Sequence, residues 1–235
     1  MALPIAARMS ETEAAARLAA VRLVTVQAAI ARAAALAGRP ADAIELVAVS
    51  KTRTPQEIAP LIAAGHRSFG ENRVQEAEAK WPALRAATPG LRLHLVGQLQ
   101  SNKAEAAVRL FDAIHALDRP SLLTALAAAM AKTGRRPDCY VQVNIGEEPQ
   151  KGGCAIADLP ALLDAAVAAG LPVAGLMAVP PADTEAAPYF ALLAKLARRH
   201  DLAALSMGMS GDYETAAMLG ATCVRVGTAL FGDRG

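Results

Sequence analysis

The sequence predicts an α/β protein, a single (β/α)8 barrel with an extra N-terminal helix, on three observations. Short β-branched runs alternate with helical stretches in unbroken order, eight such runs can be counted, and the chain has 235 residues. One such barrel takes roughly 250 residues. Strict βα alternation argues for a parallel sheet, because each parallel pairing needs a crossover that a helix supplies. An open doubly wound sheet is the alternative if either of the weakest runs, HRSFGEN or AIHAL, is not a strand. No linker or composition shift divides the chain, so residues 1–235 read as one domain, with 1–40 as a leading segment and helix.

Glu11 to Leu36 reads as the opening helix, with Leu18, Val21, Val24, Thr25 and Ala28 at helical spacing as its apolar stripe. Gly38-Arg39-Pro40 ends it. IELVAVSK (Ile44 to Lys51) is the first strand, and Thr54-Pro55-Gln56-Glu57 opens a helix through Ala64. HRSFGEN follows, then a helix from Arg73 to about Arg85, then the strand region LRLHLVGQ (Leu91 to Gln98). Ser101 is expected to cap a helix ending near Phe111, before AIHAL (Ala113 to Leu117). The second half repeats the rhythm: a helix from Pro120 to Lys132, strand CYVQVNI, a helix from Ala157 to Ala169, and strand PVAGLMAV. A helix from Glu185 to His200, strand ALSMGM, a short helix near Asp212 and the strand region TCVRVGTALFG complete it.

Composition excludes several classes. Hydrophobic residues make up 54% of the chain, enough to bury a core, so disorder is not expected. The most apolar region, Ala155 to Ala182, is broken by Asp158, Pro160, Asp164, Gly170 and Pro172, and no window is expected to supply a membrane span. The N-terminus acquires charges at Arg8, Glu11 and Glu13, which does not suit a secretory signal. Cys139, Cys154 and Cys223 are odd in number and form no CxxC pair, which suits a reducing cytoplasm and offers no metal motif. With 24 Lys and Arg against 22 Asp and Glu, and 3% aromatics, neither a basic face nor a base-stacking platform for nucleic acid is expected.

The working face of such a barrel lies at the carboxyl ends of its strands. Lys51 ends strand one. A lysine in a partly desolvated pocket loses proton affinity, and its free amine can form a Schiff base with an aldehyde. SMGMSGD (Ser206 to Asp212) follows strand seven and VGTALFG (Val226 to Gly232) ends strand eight, where barrels often bind phosphate. Small residues there let backbone N–H groups approach an anion, and Ser210 and Thr228 can add hydroxyls. An ordinary N-cap serine and turn glycines are the structural alternative. Arg225 on the last strand is either a packed ion-pair partner or faces a ligand ring nitrogen. His94 sits mid-strand, a place where a histidine is more often hydrogen-bonded core than catalyst.

The stretches LVAVSKT, FGENRVQEAEAK, HLVGQLQSNK, GLMAVP, LSMGMSGDYE and VRVGTALFG resemble, in order from Leu46 to Gly232, the pyridoxal phosphate homeostasis protein family. The resemblance implies an alanine-racemase-like barrel that binds pyridoxal 5′-phosphate (PLP). It implies that Lys51 carries the cofactor as a Schiff base, that Ser210, Gly227 and Thr228 hold its phosphate, and that Arg225 faces its pyridine nitrogen. Asn72, His94, Met177, Ser206 and Met209 would line the ring pocket. Gln98 stands where the family often has proline, Gly211 where an acidic residue is frequent, and Leu93 where an aromatic is common. The departure at Gln98 leaves the shape of the loop after strand three open.

The expected function is PLP homeostasis by a carrier with no catalytic residue of its own. Enzymes that racemise or decarboxylate through PLP need a further proton donor or acceptor, and a permanent positive charge at Arg225 disfavours a protonated ring nitrogen. Racemases of this fold use a C-terminal β-domain, and the sequence stops three residues after Gly232. Of Tyr140, Tyr189 and Tyr213, Tyr213 alone is expected beside the phosphate loop. A small PLP-dependent amino-acid racemase is the alternative, and a cofactor-free Schiff-base aldolase a third. The family resemblance implies a monomer or weak dimer that interacts with PLP and with PLP-dependent apo-enzymes.

Overall fold

The computed structural model describes residues 11–232; the segment 1–10, read above for a leader, and 233–235 lie outside it. Helix α1 (Glu11–Leu36) precedes eight parallel strands, β1 (Glu45–Val49), β2 (Ser68–Glu71), β3 (Arg92–Leu95), β4 (Ala113–Leu117), β5 (Asp138–Gln142), β6 (Val173–Met177), β7 (Ala204–Ser206) and β8 (Cys223–Val226). Between them run α2 (Pro55–Ala63), α3 (Val74–Ala87), α4 (Ala104–Leu110), α5 (Pro120–Thr133), α6 (Leu159–Ala168), α7 (Ala187–Arg199) and α8 (Tyr213–Met218), with α9 (Thr228–Phe231) last. The strands close in sequence order, β8 pairing with β1 from Glu45↔Cys223 to Ala48↔Val226. HRSFGEN and AIHAL both supply strands, which removes the open-sheet alternative.

Local chemistry sets the boundaries. Thr54 and Glu57 form a reciprocal capping box with Pro55 in the first turn of α2, where its missing N–H leaves no bond unmade. Gly134 ends α5 at φ +70°, a conformation that glycine adopts without steric penalty.

Alternate strand residues face opposite ways, and here the two sets differ in chemistry. Leu93, Leu95, Ile114, Val141, Leu176, Leu205 and Val224 pack outward with Trp81, Phe111 and Phe190 in the main core. Their neighbours in sequence, His94, His115, Tyr140, Met177, Ser206 and Arg225, are all buried and fill the lumen. Barrel interiors are ordinarily filled by branched aliphatics.

Three expectations are corrected. Helix α1 buries Ala19, Leu23, Val26, Ile30, Ala33 and Ala34 on a flank that packs toward α2, α8 and α9, while Leu18, Val21, Val24, Thr25 and Ala28 face solvent. Both stripes have helical spacing; the alanines of the buried one let the helix approach its neighbours closely, and the Thr25 hydroxyl is satisfied by the Val21 carbonyl on the open side. The span Glu13–Leu36 is long and apolar enough by composition to cross a membrane, the one such helix among the described residues, contrary to the expectation that no window qualifies. Ser101 does not cap α4: it opens a single 3₁₀ turn, Ser101–Lys103, with no side-chain cap.

The burial of α1 predicts a contrast between adjacent residues. Leu23→Ala should destabilise by about 2–4 kcal/mol through the cavity it leaves. Val24→Ala should change stability by less than about 0.5 kcal/mol, as expected at an exposed position. Urea midpoints of the two variants check this.

Candidate functional site

Lys51 stands on a turn held from below by buried charge. After β1 the Arg53 N–H donates to the Ser50 carbonyl at 3.0 Å, and Thr52 takes φ +64°. The Thr52 N–H donates to Glu76 Oε1 at 2.5 Å. Lys80 Nζ donates to the Ser50 and Arg53 carbonyls at 3.0 Å each and lies 2.9 Å from both Glu71 and Glu76. Glu71, fully buried at the end of β2, accepts from Ser50 Oγ at 2.6 Å and Trp81 Nε1 at 3.0 Å. Burial pushes its carboxyl above the usual range, outweighing Ser50, Lys80 and Trp81, which pull it down. Glu71, Glu76 and Lys80 all come from FGENRVQEAEAK, yet the sequence assigned them no role. Their spacing carried the signal, since Glu76 and Lys80 are four apart on α3. Among the described residues the Lys51 amine has no hydrogen-bond or ion-pair partner.

The two C-terminal loops meet this turn. Register sets Val226 against Ala48, and a Cβ added to Gly227 would lie 3.5 Å from the Val49 carbonyl oxygen. The Gly227 and Ala229 N–H groups converge on Ser210 Oγ at 3.2 and 3.5 Å. Ser210 is therefore not the N-cap of α8; that position belongs to Asp212, whose carboxylate accepts from the Met209 N–H at 2.5 Å. Gly208 has φ +95°, and a Cβ there would collide with Ala216 and approach the Tyr213 Cα to 3.1 Å. Thr228 is exposed at the same rim.

Below these loops Arg225 is 4% exposed. Its Nη1 donates to Ser206 Oγ at 2.6 Å and its Nη2 to the Ala178 carbonyl at 3.0 Å. No carboxylate reaches it within ion-pair distance among the described residues, which decides against the ion-pair alternative. Ser206 Oγ is 2.8 Å from His115 Nδ1, a bond that crosses the lumen from β7 to β4. His115 Nε2 is 3.0 Å from His94 Nδ1, and His94 Nε2 is 3.1 Å from Ser68 Oγ and 3.4 Å from Glu45 Oε1. Burial above all, with the Arg225 and Arg92 charges, drives His115 well below the usual imidazole range, so it is neutral. Burial would raise Glu45, but His94, Arg92 and Ser68 together hold it down at about 2. Its contribution to stability is complete above the ordinary 4.5 and is lost as pH falls toward 2.

The structure thus gathers Lys51, Ser206, Ser210, Arg225, Gly227 and Thr228 at one end of the barrel. Met177 ends β6, 2% exposed, inside the lumen. Asn72 lines a cleft of about 340 Å³ with Arg73, Gln98 and Lys103, and Met209 a cleft of about 470 Å³ with Lys151 and Asp212. His94 is buried in the lumen with both nitrogens engaged, and His115 and Ser206 link it to Arg225. His115 was missed; its signal was a histidine midway along an apolar strand. Burial pushes Cys139, Cys154 and Cys223 up to about 12, so all three are inert thiols. No group of three His, Cys, Asp or Glu side chains suited to a metal occurs among the described residues.

A closed barrel with an unpartnered lysine after strand one and an N–H cradle after strands seven and eight is a protein of the alanine racemase N-terminal domain class, whose family model matches residues 21–235. Within that class the chain belongs to the pyridoxal phosphate homeostasis protein family. It is 41% identical over 219 residues to the family member of Pseudomonas aeruginosa, covering 90% of this chain and 94% of that one. With the Deinococcus radiodurans member it shares 43% over 209 residues, covering 88% and 97%. The structure of PipY from Synechococcus elongatus with PLP bound superposes with a TM-score of 0.81 at 38% identity, covering 91% of this chain and all of that one, 100%. Alanine racemase from Bartonella henselae shares the fold at 16% identity and TM-score 0.63, with 61% of its chain covered.

The buried node under Lys51 predicts a pH-dependent defect. Lys80→Met leaves the Glu71 carboxylate uncompensated and should cost about 3–5 kcal/mol at pH 7. Because the folded Glu71 carboxyl lies above its unfolded value, its ionisation opposes folding as pH rises. The gap from wild type should therefore narrow as pH falls and Glu71 takes up a proton. Urea unfolding at pH 7 and pH 5 measures it.

Proposed function

We propose that this chain binds PLP as a Schiff base on Lys51 and serves PLP homeostasis as a carrier rather than as an enzyme. The observation that supports this most directly is one geometry: a lysine amine without a partner beside two backbone N–H groups converging on Ser210, above a buried arginine without a carboxylate. That donor set fits PLP. When bound, the cofactor supplies an aldehyde that condenses with a primary amine, and a phosphate that accepts hydrogen bonds. The Lys80–Glu71–Glu76 node fixes the turn that presents Lys51. The Gly227 and Ala229 N–H groups, with the Ser210 hydroxyl, orient the phosphate. Arg225 places a fixed positive charge at the ring end, which disfavours a protonated ring nitrogen and so supports holding over turnover.

Of the tyrosines, Tyr140 is locked in the lumen against His115, and Tyr213 is part-buried with its phenol raised by burial, then by Glu214. Neither is poised as a proton donor at neutral pH. Three free, buried cysteines support a reducing compartment, the cytoplasm, as its location. PLP-dependent apo-enzymes are the proposed recipients, and a monomer or weak dimer without nucleic acid or membrane the proposed state.

Wild-type protein mixed with PLP should turn yellow and be trapped by borohydride at Lys51, and Lys51→Ala should lose both; a colourless, untrapped wild type overturns the reading. Ser210→Ala should weaken PLP binding roughly tenfold, as loss of one hydrogen bond to a charged group does. The same substitution should leave pyridoxal, which lacks the phosphate, unaffected. Amino acids incubated with the loaded protein in deuterated water should keep their α-protons; exchange would favour the racemase alternative.

A further inference from the structure

A buried guanidinium ordinarily sits against a carboxylate, because an unpaired interior charge is strongly unfavourable. Arg225 has no carboxylate within ion-pair distance among the described residues, and its hydrogen bonds lead instead to one at the far end of the barrel. Ser206, His115, His94 and Ser68 link Arg225 to Glu45 at successive separations of 2.6, 2.8, 3.0, 3.1 and 2.9 Å. Glu45 begins β1, has a side chain 28% exposed, and lines a cleft of about 510 Å³ with His66, Arg67 and Ser68. The chain therefore runs the length of the lumen, from the ligand end to a solvent-facing carboxylate on the floor.

Its ends fix its direction. Arginine only donates, so Ser206 Oγ accepts at the top, and an ionised carboxylate only accepts, so Glu45 accepts at the bottom. Between them, with one N–H on each ring, one consistent order remains. Ser206 O–H donates to His115 Nδ1, and His115 Nε2–H donates to His94 Nδ1. His94 Nε2–H donates to Ser68 Oγ, whose O–H donates to Glu45. The reverse order would aim the His94 Nε2 lone pair at an anion 3.4 Å away. Stacking of His115 on Tyr140, centroids 4.2 Å apart and planes 16° apart, holds the central ring in place.

We propose that His94 and His115 are positioning residues that couple Arg225 at the ligand end to Glu45 at the floor, transmitting a donor order that fixes the aim of the guanidinium. The role toward the cofactor rests on the PLP reading above; the chain itself does not. Nitrogen NMR of PLP-free protein should find both rings as Nε2–H tautomers, and Glu45→Gln should move the Arg225 guanidinium signal although the two residues do not touch. With PLP bound, Glu45→Gln and His115→Phe should both displace the absorbance maximum. His115→Phe should also weaken PLP roughly tenfold, the loss expected for a buried hydrogen-bond link. An Nδ1–H tautomer at either ring, or an Arg225 signal unmoved in Glu45→Gln, overturns the proposal. If His115→Phe fails to fold, Glu45→Gln decides alone. If wild type takes up no PLP, the function fails while the tautomers and the Arg225 signal still decide this inference.

Discussion

Pairing of β1 with β8 is the constraint on which the site depends. It joins residues nearly 180 positions apart in sequence, with Val47 opposite Arg225 and Ala48 opposite Val226. Closing a loop of that length carries an entropic penalty that only the assembled sheet offsets. Once closed, the register leaves no freedom in where Lys51 meets the last two loops. A slip of one residue would exchange the faces of β8, turning Arg225 outward and Val224 into the lumen. The polar lumen therefore depends on the same register that places the lysine.

Two buried cations, Lys80 and Arg225, are handled in opposite ways. Lys80 meets two carboxylates and two carbonyls within 3.0 Å, a set that satisfies its charge locally and makes the turn beneath Lys51 rigid. Arg225 meets a hydroxyl and a carbonyl, so its charge is not cancelled by an adjacent carboxylate. A carboxylate beside Arg225 would cancel that charge and repel an anionic ligand; a missing one beside Lys80 would leave the turn without its anchor. One buried charge is thus neutralised where it stands, and the other is left without an adjacent carboxylate.

Legibility in the sequence followed how local each cause was. The strands, most helices and the loop residues Lys51, Ser210 and Gly227 were readable because β-branched runs, capping pairs and glycine turns act over a few residues. The inward face of α1 was not, because alanine lets two stripes satisfy the same periodicity and only the neighbouring helices choose between them. Ser101 looked like a cap, but the chain takes a 3₁₀ turn there before α4 begins. His115 was invisible as a functional residue because its partner Ser206 lies 91 positions away, on a strand that meets it only across the closed lumen. The link of His94 to Arg225 is hidden in the sequence for the same reason, since it runs through His115 and Ser206.

The polar lumen also bears on why the fold tolerates so little aromatic content, 3% of the chain. Barrel interiors are usually filled by bulky apolar layers. In this one Tyr140, Met177 and Ala113 supply the apolar packing, and the space beside them holds two imidazoles. Buried polar groups are tolerable only when every member is satisfied, since a partly bonded network is worse than an apolar core. The hydrogen-bonded chain from Arg225 to Glu45 meets that condition with a charge at each end and no unpaired ring nitrogen. Replacing either histidine by an apolar residue would orphan its neighbours on both sides. The two histidines, the serines beside them and the arginine therefore form one interdependent set.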